Sequence, residues 1–420
     1  MTASSSRFYG WTVVAAAFVI AVFGWGVGFY GPPVFLKAVS DARGWSIALV
    51  SAAVTLHFLV GALAVANLPR LYRRFGLAPV TIAGAVSLAL GIIGWAMAAA
   101  PWQLFAATLF SGAGWVALGP AGINAMVSPW FNRRRPAALS SAYNGASVGG
   151  VIFSPLWVAL IGWGGFPMAA ISVGIVMIGV VVVLALGVVG RTPDSMGLAP
   201  DGDQAVPVAS AALPATQRQV ANVWRDRAFV TLTLGMALGL FAQIGLIAHL
   251  FSLLVPAMGA RGAGFAAGLA AVSAVAGRTL AGWLMPVGAD RRVVAALNYG
   301  VQIIGCGAFL TAGGSNVPLL LLGVLLFGVG IGNATSMPPL IAQTEFAKAE
   351  VVRVVALVVA VAQASFAFAP LLFGVIREAT ALDGSAAVPM LFVTAALFQA
   401  AAAAAYWMGR DSFRMRAVTA

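Results

Sequence analysis

The sequence predicts an all-α membrane protein with twelve transmembrane helices in two pseudo-symmetric six-helix halves. Three observations carry this. The 420 residues are 61% hydrophobic and only 8% charged, with a mean hydropathy of +0.99, whereas soluble domains are roughly half apolar and a quarter charged. The apolar runs are long and continuous, enough for the ~20 residues of a spanning helix, and lack the ~10-residue alternation of barrel strands. One polar, proline-bearing segment, 191–227, divides the chain near its middle.

In order, the spans fall at 10–37, 46–69, 79–99, 102–129, 136–161 and 166–189, then 228–257, 263–286, 293–313, 317–343, 352–377 and 386–409. Arg7 precedes the first span, and Lys37 and Arg43 separate it from the second. Arg70, Arg73 and Arg74 close the second, Arg133, Arg134 and Arg135 open the fifth, and Arg191 ends the sixth. Arg218, Arg225 and Arg227 lead into the seventh, Arg261 into the eighth and Arg291 and Arg292 into the ninth. Lys348 and Arg353 open the eleventh, Arg377 closes it, and Arg410, Arg414 and Arg416 follow the twelfth. With the N-terminus in the cytoplasm, eighteen basic residues lie on that side and four on the other, Lys37, Arg43, Arg261 and Arg377. That excess predicts both termini inside. The domains expected are a half at 1–190, a cytoplasmic linker at 191–227, a half at 228–409 and a cytoplasmic tail at 410–420.

The net charge of +12 therefore reads as membrane topology, and no nucleic-acid partner is expected. Cys306 is the only cysteine, and two histidines and eleven acids are poor material for a disulfide scaffold, metal site or redox enzyme. No cofactor is expected. The first apolar run is too long for a cleavable signal peptide, and Trp25, Tyr30 and Lys37 follow where small residues would be needed. No Ser/His, paired-acid or metal constellation falls in the spans, which argues against an intramembrane enzyme.

A weak repeat links the halves. Leu109–Gly114 resembles Leu326–Gly330, Ser154-Pro155-Leu156 resembles Ala369-Pro370-Leu371, and Phe131 and Phe346 close corresponding spans, all offset by about 215 residues. Two parallel six-span halves around a midplane site form a transporter architecture. The abundant Gly and Ala suit close helix packing. Gly145-Ala146-Ser147-Val148-Gly149-Gly150 is dense enough for helices to slide as well as pack.

Arg278 is the one basic residue inside a span, ~12 Å from the cytoplasmic end and ~22 Å from the other at ~1.5 Å per residue. A guanidinium there costs ~2.5–3.5 kcal/mol on insertion scales. Snorkelling toward the cytoplasm is one accommodation and a structural ion pair another. On this span map all eleven acids lie in loops or at helix ends, so the sequence points to an anionic ligand. His57 and His249 both fall in spans and can take up a proton near neutral pH. The alternative is a neutral imidazole bonded to a backbone carbonyl, a reading that weighs more for His57 than for His249. Tyr30, Gln243, Asn333 and Gln363 are further mid-span polar side chains, with Asn144 deeper on the cytoplasmic side. They are candidate ligand contacts or interhelical hydrogen bonds.

Several segments resemble one family. Arg7-Phe8-Tyr9-Gly10-Trp11 is similar to the opening of bacterial monocarboxylate-porter-type members of the major facilitator superfamily. Trp130–Gly145 resembles that family's loop-to-fifth-span signature, departing at Trp130, Ala137 and Asn144. Gly277-Arg278 with Gly282 resembles its eighth-span arginine motif, and Pro193 with Gly197–Gly202 resembles its middle loop. The resemblance implies the major facilitator fold, proton-coupled uptake of a small carboxylate in a bacterial inner membrane, and Arg278 as the group that meets the carboxylate. Substrate contacts are expected at Arg278, His249, Tyr30, Gln243, Asn333, Gln363 and Asn144, and proton coupling at His249 or His57. The partners expected are the carboxylate, protons and the bilayer, with a monomer as the working unit.

Three departures qualify that reading. Arg73 stands at the acidic position of the superfamily's Asp-Arg-x-Gly loop, and Pro286 in its second copy. Ala274 stands where many animal members carry an aspartate linked to proton coupling. Ser154-Pro155 replaces the Gly-Pro of many exporters, which tilts toward uptake. The rivals are an antiporter or exporter of organic anions or amphiphilic compounds, and a receptor, which would need a signalling domain.

The topology has a direct check. In a Cys306→Ser background, single cysteines at 41 and 383 label from outside, and those at 73, 203 and 414 only from inside. An outside label at 203 refutes the charge argument.

Overall fold

The computed structural model describes residues 8–131, 134–202, 222–285, 289–380 and 388–410. Asn132 and Arg133 of the basic signature, linker residues 203–221, Pro286, Asp383, the 386–387 start of the twelfth span and the tail from 411 lie outside these residues. The chain divides into two compact units, Met1–Ala211 and Ala212–Ala420. The first holds α1 (Gly10–Gly28), α2 (Gly31–Arg43), α3 (Ile47–Phe75), α4 (Leu77–Met97), α5 (Pro101–Leu118), α6 (Pro120–Val127) and α7 (Arg135–Leu184). The second holds α8 (Arg227–Leu284), α9 (Arg291–Ala312), α10 (Val317–Glu345), α11 (Lys348–Phe366), α12 (Ala369–Thr380) and α13 (Pro389–Met408).

Among the described residues, ten helical stretches are long and apolar enough to cross a membrane. Two of them, Ala137–Val189 and Arg227–Ala281, run to 53 and 55 residues. At ~1.5 Å per residue each is roughly 80 Å long, more than twice the ~30 Å of a hydrocarbon core. Each turns at one glycine, Gly165 (φ 78°, ψ 166°) and Gly259 (φ 67°, ψ 170°), a conformation open to glycine and strained for other residues. Each therefore crosses twice, giving twelve crossings in an all-α membrane fold. The loops expected near 162–165 and 258–262 shrink to these turns.

Three spans expected to be continuous are broken, each where proline removes a helical donor. The first breaks between α1 and α2. Pro32 cannot donate to the Gly28 carbonyl, and the Tyr30 amide bonds back to Trp25 (2.8 Å) instead of Gly26. The fourth breaks at Gly119, before Pro120. The eleventh breaks at Ala367 and Phe368, before Pro370.

In the first unit, the opening of the chain packs on the signature before α7. Phe8 meets Phe131 edge-on at 5.6 Å, and the Tyr9 ring lies 5.2 Å from Trp130. The Tyr9 hydroxyl donates to the Val188 carbonyl (3.3 Å), beneath the Arg191 guanidinium at 5.6 Å from its ring. Asp201 accepts from the Arg134 amide at the start of α7 (3.2 Å), where a helix favours negative charge. Three segments far apart in sequence thus meet at one end of this half. The first part of the expected linker packs onto it.

The second unit is tied at the end where α8 begins. The Arg292 guanidinium, 1% exposed, donates to both oxygens of Glu345 (2.7 and 2.8 Å), to Thr231 (3.0 Å) and to the Ala228 carbonyl (2.7 Å). Asp290 caps α9 through the Arg292 amide (3.0 Å) and pairs with Arg410 (2.6 Å). These bonds join the ends of α8, α9, α10 and α13. Removing one partner of a buried pair leaves the other charge uncompensated. Glu345→Ala should destabilise the protein by ~3 kcal/mol, read as a lower unfolding temperature in detergent. Arg292→Met with Glu345→Leu should lose less. A Glu345→Ala protein as stable as wild type refutes this account.

Candidate functional site

In the first unit, the break in the first span releases two carbonyls, and neighbouring spans collect them. Trp157 on α7 donates to Gly26 (3.1 Å), and His57 Nε2 on α3 donates to Gly28 (2.9 Å). With Nε2 as donor, His57 Nδ1 accepts from the Ser111 hydroxyl (2.8 Å), which in turn accepts from the Trp95 indole (3.2 Å). His57 is buried, and both ring nitrogens are bonded within this half. An aromatic group surrounds the break. Trp25 lies 5.5 Å from Trp115 and 6.2 Å from Tyr143, and Phe29 lies 5.1 Å from Tyr30 and 6.1 Å from Phe58. Trp25, Phe29, Tyr30 and Tyr143 are half-buried, and Asn144 is exposed beside Tyr143. The Tyr143 hydroxyl donates to the Pro120 carbonyl (2.9 Å) at the break of the fourth span.

In the second unit, Arg278 lies on the second arm of α8, after Gly259, and is half-buried. Its Nε donates to the Gly332 carbonyl of α10 (3.2 Å). Next in the chain, Asn333 donates from Nδ2 to the Gly277 carbonyl (3.3 Å) and to Asn298 Oδ1 of α9 (3.0 Å). Asn298 donates to the Gly330 carbonyl (3.1 Å), which also accepts from Gln243 on the first arm of α8 (3.5 Å). Gln302 Oε1 accepts from Gln243 (2.9 Å) and from Gln399 of α13 (3.0 Å), and Cys306 donates to Gln399 (3.5 Å). A seam of amides thus runs through the interior of this half.

The structure brings Arg278, Asn333 and Gln243 into that seam and places His249 elsewhere. His249 is fully buried, its Nε2 donating to the Pro370 carbonyl of α12 (3.1 Å), and its Nδ1 has no hydrogen-bond partner. One turn on, Ser252 donates to the His249 carbonyl (2.8 Å) and accepts from Arg377 (2.5 Å). Gln363 is half-buried on α11, one turn before its break. Asn298, Gln302 and Gln399 were not foreseen as site residues. Their signal was available, since Asn298, Gln302 and Cys306 recur every four residues in an apolar span and so share one helix face.

The profile of the Major Facilitator Superfamily matches residues 14–370, from the first span into the eleventh. The chain belongs to the Major Facilitator Superfamily. MFS-type transporter 1 of Ophiocordyceps sp. (strain BCC 1869) is 25% identical over 364 residues, 80% of this chain and 72% of that one. Two solved structures share the fold. A bacterial homolog of the human lysosomal transporter Spinster, in an inward-facing and occupied conformation, has a TM-score of 0.71 at 16% identity, covering 96% of this chain and 97% of that one. The nucleoside transporter NupG has a TM-score of 0.70 at 11% identity, covering 96% and 99%. The protein is accordingly a multi-pass membrane transporter of this superfamily and not an enzyme.

The bonds of His57 have a measurable consequence. His57→Leu removes the donor to the Gly28 carbonyl and should cost about 2 kcal/mol, seen as a lower unfolding temperature. His57→Gln, which can still donate, should recover part of it. Equal stability of His57→Leu and wild type would show that the bond to Gly28 carries no weight.

Proposed function

We propose that this transporter takes up small carboxylates by alternating access, importing a monocarboxylate with a proton across a bacterial inner membrane, as a monomer with both termini in the cytoplasm. The observation that carries the reading is Arg278, a guanidinium retained within an apolar span, where ionisable residues mark function. Its Nε is directed by the Gly332 carbonyl, so the planar head is held in one orientation for an anion. One intramembrane arginine suits one carboxylate, and the resemblance of Gly277-Arg278 and Gly282 to the monocarboxylate-porter motif supports the same group.

For the proton, His249 is favoured over His57, because Nδ1 of His249 is buried with no partner while both nitrogens of His57 are engaged. A proton on Nδ1 puts a second cation beside Ser252, to which Arg377 donates. Repulsion then weakens the contact of α8 with α12, and release of the proton restores it. Transport of an already protonated acid is the alternative carrier. Exchange or export of organic anions remains the rival mode, and counterflow without a pH gradient distinguishes it.

The test uses proteoliposomes and radiolabelled acetate, L-lactate, pyruvate, benzoate and phenylacetate. Wild type should accumulate at least one of them under an inward proton gradient. Arg278→Lys should lose uptake by more than about tenfold although the charge is kept, because lysine lacks the planar fork. Arg278→Ala should lose it entirely while remaining folded. His249→Gln should keep counterflow and lose acceleration by the gradient. Wild-type uptake by either Arg278 variant rules out the carboxylate anchor, and an unchanged gradient response in His249→Gln leaves the substrate as proton carrier.

A further inference from the structure

One short stretch of α10 grips α8 at two successive residues. The Gly332 carbonyl holds the Arg278 side chain, and the Asn333 amide holds the Gly277 carbonyl just before it. The helices approach closely enough for this because glycine stands on both sides. A Cβ on Gly277 would lie 2.0 Å from the Val329 carbonyl oxygen, and one on Gly332 would lie 2.3 Å from that of Ala274. Asn333 is in turn oriented from α9. Asn298 accepts from Asn333 with Oδ1 and donates with Nδ2 to Gly330, three residues earlier on the same face of α10. A planar amide that makes both bonds fixes the rotamer of Asn333 and the placement of α9 on α10 together.

We propose that Asn298 is a positioning residue for Arg278. Through Asn333 it sets the register of the second arm of α8 against α10, and with it the direction of the guanidinium. The consequence for transport rests on the reading of Arg278 as carboxylate anchor; the geometric part does not. Without Asn298, Asn333 Nδ2 keeps only the longer of its two bonds, to Gly277, and the Gly330 carbonyl keeps Gln243 at 3.5 Å as its side-chain donor. Gln399 is the internal comparison. It belongs to the same seam, is fully buried and bonds to Gln302, but makes no bond to the 332–333 pair.

The test begins with an arginine-selective reagent and needs no knowledge of the substrate. Purified protein in nanodiscs is treated with phenylglyoxal, and labelling of Arg278 relative to Arg261 is followed by peptide mass spectrometry. Asn298→Leu should raise that ratio about fivefold, the worth of one hydrogen bond of ~1 kcal/mol. Gln399→Leu should lower the unfolding temperature and leave the ratio as in wild type. In proteoliposomes, Asn298→Leu should raise KM by about fivefold for each acid of the panel that wild type imports, with kcat changed by less than about twofold. An unchanged ratio in Asn298→Leu, an equal rise in Gln399→Leu, or an unchanged KM overturns the proposal. If Arg278→Ala still transports, the anchor reading falls and the labelling ratio alone decides the positioning role. If Arg278→Ala is inactive and the ratio does not move, the positioning role alone falls.

Discussion

Within hydrocarbon, every polar group has to find its partner in the protein, and this constraint organises both halves of the molecule. A continuous helix meets it internally. A broken helix does not, and each carbonyl released by a break needs a donor from elsewhere. The first span shows the solution most plainly. Its break at Pro32 and Tyr30 frees the carbonyls of Gly28 and Gly26, and His57 and Trp157 reach them from two neighbouring spans. The irregularity therefore pins α1 to α3 and α7. The side chains that do this sit mid-span, where a reading for function alone would assign them to ligand.

The second half meets the constraint differently. Here side-chain amides bond to one another and to glycine carbonyls, so that α8, α9, α10 and α13 are joined by a seam in place of isolated bonds, with Gln302 Nε2 and Asn333 Oδ1 left unmatched. Amides carry no charge, so the seam avoids the desolvation penalty that a buried ion pair incurs. Charge is kept toward the ends of this half, with Arg292 and Glu345 meeting near the first turns of α8 and α9 and Arg377 bonded to Ser252 at the opposite end. Inside the span the exception is Arg278, and the seam ends on the residues that hold it. The division is chemically sensible for a transporter. Neutral bonds fix the frame, and the one arginine within it is the group on which the proposed anion contact rests.

Much of the fold was legible in the sequence because composition and the length of the apolar runs are global signals. Gly165 and Gly259 fell within the short loops expected between spans, and the acids outside the spans reappear as caps and end pairs, Asp226, Asp290 and Glu345 among them. The breaks were less legible. Pro32-Pro33 and Pro370 were visible, but an apolar run reads alike whether it bends or not, and the compensating donors are more than a hundred residues away in the case of Trp157. The site was legible in part. A lone arginine in a span needs no partner to be noticed. Asn298 and Gln302 are ordinary interhelical amides until the carbonyls they serve are known, and a linear sequence does not say which helices touch.

The glycines beside Arg278 act through distance more than through flexibility. Gly277 and Gly332 are helical and carry no unusual dihedral angles. Their value lies in the missing Cβ, which lets two backbones come within reach of side chains as short as asparagine. Alanine at Gly332 would place a Cβ 2.3 Å from the Ala274 oxygen and 3.2 Å from Arg278 Cβ, and the helices would have to part. The Arg278 Nε and Gly332 oxygen, already at 3.2 Å, would then pass beyond hydrogen-bonding range. The guanidinium would keep its charge and lose its orientation, which is what separates a geometric role of Arg278 from a purely Coulombic one. In this half the direction of the Arg278 side chain is thus set from the face of α10 that carries Gly332.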